Sequence, residues 1–178
     1  AQDGTIAQID RRGNTSFFIT LPKNSTGNGI RFGDKNTFYI ADFTGHKVLK
    51  ADLETREVTE HVHEPEMNQP NDLAITRTGQ IFCSDPNWEK GNGQVWHVNA
   101  QGKARKVAEN MGTTNGIEVS PDEKILYVNE STQRNVWAFD LAEDGTLSNK
   151  RLLISFQDGL LDGMRCDVKG NLYVTRYD

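Results

Sequence analysis

Four polar residues recur at one place in a repeated pattern: Asn28, Asn71, Asn115 and Asp162. They lie 43, 44 and 47 residues apart, and each opens a short apolar run. Their side-chain oxygens are hard donors. Gathered at one point with waters, such oxygens suit Ca²⁺ or Mg²⁺ better than thiophilic metals. Taken singly, an Asn or Asp at a strand start also reads as a turn residue that satisfies local backbone groups. The choice between the two depends on the elements that carry them.

Those elements repeat with them. The segments read Asn28-Gly-Ile-Arg-Phe…Thr-Phe-Tyr-Ile-Ala-Asp, Asn71-Asp-Leu-Ala-Ile…Gln-Ile-Phe-Cys-Ser-Asp, Asn115-Gly-Ile-Glu-Val…Ile-Leu-Tyr-Val-Asn-Glu and Asp162-Gly-Met-Arg-Cys…Asn-Leu-Tyr-Val-Thr-Arg. Each is an apolar strand, a turn and a second apolar strand. Two further strand-like runs complete each full unit. The runs are 29–32, 37–41, 47–52 and 57–61; then 72–75, 80–84, 94–98 and 104–108; then 116–119, 125–129, 135–140 and 151–154. Gly-Asp-Lys-Asn, Thr-Gly, Pro-Asp-Glu, Gly-Asn-Gly and Glu-Asp-Gly stretches separate them. Such residues supply turn dihedrals. No helical period survives for more than a turn.

Self-similarity at this period, with four strands per unit, predicts an all-β fold, a β-propeller of four-stranded blades. The first strand of each blade lines the axis, so the four Asn or Asp side chains converge there. Residues 1–20 read as the third and fourth strands of a blade, and 162–178 as the first and second. Between them stand blades over 28–62, 71–109 and 115–155. The chain thus supplies about four blades' worth of strands. It is either part of a larger ring, or its head and tail complete one blade and close a four-bladed ring.

At 178 residues and a net charge of −5 the chain supports one domain with a real core. The acidic balance argues against nucleic acid or an anionic membrane as partner. No apolar run approaches the ~18 residues that span a bilayer. No leader is visible, but residue 1 is Ala, so the compartment stays open between cytoplasm and periplasm for a soluble chain. Cys83 and Cys166 lie in different repeats and read as small hydrophobes rather than a disulfide or zinc site.

Three ordered stretches carry a resemblance. They are Gln69-Pro-Asn-Asp-Leu with Ser84-Asp-Pro-Asn-Trp, Thr114-Asn-Gly-Ile-Glu-Val-Ser-Pro-Asp with Leu126-Tyr-Val-Asn-Glu-Ser, and Leu161-Asp-Gly-Met-Arg-Cys-Asp with Gly170-Asn-Leu-Tyr-Val. Through them the whole chain resembles the calcium-dependent lactonases that include gluconolactonase, senescence marker protein and luciferin-regenerating enzyme. The resemblance implies a six-bladed propeller with one divalent cation at its centre, calcium first, magnesium or zinc as alternatives. It implies Asn71, Asn115 and Asp162 as metal ligands. The family's fourth ligand, the Glu of a Glu-Gly-Pro motif, has no match in these residues, and the resemblance is to a truncated member. Asn28 is not a ligand position in that family.

The implied reaction is hydrolysis of a small lactone or related ester. The cation acts as a Lewis acid, and Asp162 is the candidate catalytic base. Gln69, Asp85, Trp88 and Arg165 are the candidate substrate contacts. Trp88 reads equally as packing on a neighbouring blade, and Arg165 as a structural cation paired on its strand. The competing function is a non-catalytic propeller used as a binding or interaction module, or an inactive truncated fragment. Open sheet edges on such a chain would invite self-association. His61 and His63 read as part of an outer, solvated strand. Ser84, Ser120 and Ser131 lack the Gly-x-Ser-x-Gly elbow of a serine hydrolase.

Overall fold

The computed structural model describes residues 3–34 and 36–178. Residues 1 and 2 of the expected head strands, and Lys35 of the Gly-Asp-Lys-Asn turn, lie outside the described residues.

Among the described residues, sixteen antiparallel strands form five sheets. The head pair is β1 (Thr5–Ile9) and β2 (Thr15–Thr20). A first four-stranded sheet holds β3 (Gly27–Phe32), β4 (Thr37–Asp42), β5 (Lys47–Asp52) and β6 (Val58–His63). A second holds β7 (Leu73–Ile75), β8 (Ile81–Asp85), β9 (Gly93–Val98) and β10 (Ala104–Met111). A third holds β11 (Thr114–Val119), β12 (Ile125–Glu130), β13 (Asn135–Leu141) and β14 (Leu147–Ser155). The tail pair is β15 (Leu160–Cys166) and β16 (Leu172–Tyr177). Within each sheet the strands follow one another in chain order, as successive hairpins require. Among the described residues the head and tail pairs remain separate sheets, so they do not share a blade. No helix of the described residues is long and apolar enough to cross a membrane.

The blades stack face to face because their strands are apolar on both sides. In β4, Phe38 and Ile40 point to one face and pack with Ile19, Leu21 and Leu49. Ala41 points to the other and packs with Val48, Met67, Leu73, Cys83 and Trp96. The same alternation sends Ile81 and Cys83 of β8 back toward β4, while Phe82 meets Val95, Met111, Ile117 and Phe139. Period-two alternation thus yields two apolar faces instead of one apolar and one wet. A smaller layer of Val136, Leu161 and Met164 holds the tail pair.

The inner strands adjoin around the axis: β3 touches β7, β7 touches β11, and β11 touches β15. Two glycines permit this approach. A Cβ on Gly29 would fall onto the Asp72 carboxylate and lie 2.6 Å from its Cα. A Cβ on Gly116 would strike the Asp162 carbonyl and lie 2.7 Å from Asn129 Nδ2. Neither glycine has positive φ. Close backbone approach, not turn geometry, requires the Gly of each Asn-Gly pair. In the Thr-Gly and Pro-Asp-Glu turns the left-handed residues are His46 and Glu123.

Strand bounds shift from the sequence reading: β3 and β11 begin two residues earlier, at Gly27 and Thr114. The inner strand β7 begins at Leu73, because the Asp72 amide is taken by Ser84 Oγ at 3.0 Å. The outer strands β10 and β14 run longer than expected and carry register shifts.

Candidate functional site

The lead-in segments deliver Asn71, Asn115 and Asp162 to one end of the inner strands. There they line a cavity of about 350 Å³ that also takes in Asn28, Asp72, Arg31 and Arg165. Neighbouring blades tie the three positions together. The Gly29 amide donates to Asn71 O at 2.8 Å. Asn115 Nδ2 donates to Leu161 O at 3.3 Å. Asn129 Nδ2 donates to Asp162 O at 2.6 Å.

Asn71 and Asn115 are buried, at 7% and 4% exposure, whereas Asp162 is exposed. With its amide nitrogen bonded to Leu161, Asn115 keeps a buried Oδ1 that has no hydrogen-bond partner. An unsatisfied buried acceptor costs about 1–3 kcal/mol. A hard cation is one group that would satisfy it, and two amides with one carboxylate are a hard-oxygen donor set. The residues present therefore fit a divalent cation of the Ca²⁺ or Mg²⁺ type. Among the described residues, no group of three His, Cys, Asp or Glu side chains is placed to hold a metal ion, and Asp162 is the one formal charge among Asn71, Asn115 and Asp162.

Beside the three lies a group of four charges, three of which sequence reasoning missed. Arg31 grips Asp72 with both nitrogens, Nη1 to Oδ1 and Nη2 to Oδ2, each at 3.0 Å. Arg165 Nη1 lies 3.7 Å from Asp72 Oδ2 and 3.7 Å from Glu118 Oε2. Arg31 Nη2 is also 3.7 Å from Glu118 Oε2. The group is balanced, two cations against two carboxylates. Burial pushes the Glu118 carboxyl above its usual range, and the two arginines only partly offset that. Burial likewise lowers Arg31, against the pull of Asp72. The available signal was spacing: Arg31, Glu118 and Arg165 each stand three residues after Asn28, Asn115 and Asp162.

The candidate substrate contacts separate. Arg165 lines the cavity, half exposed, and it is also paired with Asp72 and Glu118. Gln69 and Trp88 are not among the lining residues, and Trp88 sits 39% exposed on its loop. Asp85 is a correction. It is fully buried, and its oxygens accept from the Asn68 amide (2.9 Å), the Gln69 amide (2.6 Å), Gln94 Nε2 (2.7 Å) and Trp96 Nε1 (2.9 Å). A carboxylate so occupied holds backbone and has no lone pair to spare for a ligand. Cys83 and Cys166 are free thiols, and burial raises both, Cys166 to about 11.

Comparison with known proteins bears on the family and the fold. The SMP-30/Gluconolactonase/LRE-like region matches residues 2–178. A gluconolactonase from Zymomonas mobilis is 27% identical over 172 residues, covering 83% of this chain and 48% of that protein. A 6-deoxy-6-sulfogluconolactonase from Pseudomonas putida is 25% identical, covering 98% of this chain and 62% of its own length. The chain therefore spans less than two thirds of these relatives. A gluconolactonase structure from Xanthomonas campestris superposes with a TM-score of 0.84 at 22% identity, over 98% of this chain and 63% of that one. Regucalcin from Agrobacterium tumefaciens, described as a calcium-binding protein, superposes with a TM-score of 0.83 at 20% identity, over 98% and 61%. Those two likenesses establish the propeller fold. The match along the whole chain establishes more: this protein belongs to the SMP-30/Gluconolactonase/LRE-like family.

Proposed function

We propose that the axial cavity is a hydrolase site for a small lactone or related ester, built to hold a divalent cation, calcium first. Asn71, Asn115 and Asp162 would hold it. The observation that carries this reading is the buried, unpartnered Oδ1 of Asn115 beside the open Asp162 carboxylate. When bound, the cation supplies Lewis acidity to a carbonyl oxygen and acidifies water.

The residues of the chain do the rest. Asn71 and Asn115 present their amide groups from buried positions, and with Asn115 Nδ2 given to Leu161 O its Oδ1 is the free donor atom toward a cation. Asp162 is the exposed carboxylate at the cavity and accepts the proton of the attacking water. Water adds to the lactone carbonyl, the ring carbon–oxygen bond breaks, and the proton passes to the leaving alkoxide to give a hydroxy acid. Arg165 faces the same cavity and can pair with an anionic group on a substrate. That engagement competes with its contacts to Asp72 and Glu118.

The test is a calorimetric Ca²⁺ titration of the metal-stripped chain, followed by a lactone hydrolysis assay. One-to-one binding is expected, and Asp162→Asn is expected to weaken it at least tenfold and to abolish hydrolysis, since it removes the only charged ligand. Absence of binding in the parent chain sinks the metal reading and leaves a propeller used for binding. Hydrolysis that survives both chelation and Asp162→Asn sinks the catalytic one.

A further inference from the structure

We infer that the acid closing the second strand of each blade is a positioning residue that sets the axial side chain of its own blade. These acids are Asp42, Asp85 and Glu130, the last residues of β4, β8 and β12. All three are buried, at 0%, 0% and 5% exposure. A buried carboxylate is tolerated only where donors converge on it. One set of donors comes from the segment that leads into the first strand. The others are the Gly45 amide for Asp42, Gln94 and Trp96 for Asp85, and Asn135 for Glu130. Among the described residues, Asp42 Oδ2 has no hydrogen-bond partner. Asp42 accepts the Thr26 amide at 2.9 Å, two residues before Asn28. Asp85 accepts the Asn68 and Gln69 amides at 2.9 and 2.6 Å, three and two residues before Asn71. Glu130 accepts the Gly112 amide at 2.9 Å, three residues before Asn115. Each acid therefore pins the chain just ahead of the residue that points into the axial cavity.

The tail pair uses the same position with reversed charge. Arg176 occupies the equivalent place on β16, opposite Leu161, as Glu130 lies opposite Thr114 and Asp42 opposite Gly27. Its guanidinium pairs with the Asp158 carboxylate, four residues before Asp162. That strut also takes in the Asp158 carbonyl, from Arg176 Nη2 at 3.4 Å, and is more open, with Arg176 at 39% and Asp158 at 78% side-chain exposure. Solvent screens such a pair, so Asp162 is held less firmly than Asn71 or Asn115. The strut explains why this one position carries Asp, Asp, Glu and Arg along the repeat.

The inference rests in part on the metal reading, so its test has two arms. The first is amide hydrogen exchange on Asp85→Asn, Glu130→Gln and Asp42→Asn. Faster exchange is expected at Asn68 and Gln69 in the first, at Gly112 in the second and at Thr26 in the third, each confined to its own blade. Unchanged protection at those amides overturns the strut, and so does a uniform rise along the chain. The second arm is the Ca²⁺ dissociation constant. Asp85→Asn and Glu130→Gln are expected to weaken it about tenfold, as loss of a ligand's outer support does. Asp42→Asn serves as the matched comparison, because Asn28 is outside the ligand set, and is expected to weaken the constant clearly less than the other two. Equal weakening by Asp42→Asn overturns the positioning role and reduces the acids to general stability. If the parent chain binds no Ca²⁺, the metal reading alone has failed, and the exchange arm still decides the strut.

Discussion

At the scale of single residues, the cavity is polar where it is most buried. Arg31 and Asp72 form a bidentate pair with side chains about one-tenth exposed, so removing one partner leaves an unpaired buried charge. Glu118 is different, because its carboxylate meets both arginines only at 3.7 Å and its Oε2 has no hydrogen-bond partner. Its folded-state affinity for a proton is raised above the ordinary value of 4.5. A raised carboxyl favours the folded state below its unfolded pKa, and that contribution is lost as pH rises through the folded one. Glu118→Gln removes the cost of ionisation. Its melting temperature is therefore expected to exceed that of the parent at pH 7, with the gap narrowing toward pH 4. Thermal melts across that range check this, and a gap that widens on acidification would mean that the arginines outweigh burial.

At the scale of elements, the glycines after Asn28 and Asn115 set how closely the inner strands can approach. Gly116 faces the backbone of the tail pair, where a methyl group has no room, whereas a Cβ on Gly163 meets nothing within 4 Å. Gly116→Ala must push β15 away and move Asp162 with it. It is expected to cost about 1–3 kcal/mol, the usual penalty of overpacking. Gly163→Ala is expected to be neutral within about 0.5 kcal/mol, the range of a change that meets no neighbour. Urea melts of the two variants side by side provide the comparison. Equal losses would show that backbone freedom, not the interblade contact, selects glycine.

At the scale of the whole molecule, the stack of blades ends on each side in a two-stranded sheet. Among the described residues, β1 pairs only with β2 and β16 only with β15. Apolar side chains stand open at both ends: Ile9, Phe17 and Phe32 near the head, and Val168 and Tyr173 near the tail, each more than half exposed. Unpaired strand edges beside apolar surface template association. The isolated chain is therefore expected to associate with rising concentration in sedimentation velocity. Phe32→Glu combined with Tyr173→Glu is expected to shift it toward monomer. Association untouched by that pair of changes would place the contact on another surface.

The sequence by itself determined the repeat, the all-β class and the convergence of Asn71, Asn115 and Asp162, because period and alternation are local properties of the chain. It also carried the family, through motifs in fixed order. Three things were decided only in the tertiary structure. The Asp85 carboxylate turns inward to backbone amides, since its burial depends on a blade packed over it. The glycines of the Asn-Gly pairs answer to a neighbouring strand more than 40 residues away in sequence. Arg31 and Glu118 join Arg165 in the axial group although regular alternation puts a residue three places on at the opposite face. The pairing of β3, β11 and β15 shifts register between Gly27 and Ile30, Thr114 and Ile117, and Leu161 and Met164. Each irregularity resets the alternation, and a bulge is set by the pairing of two strands rather than by the residues of one.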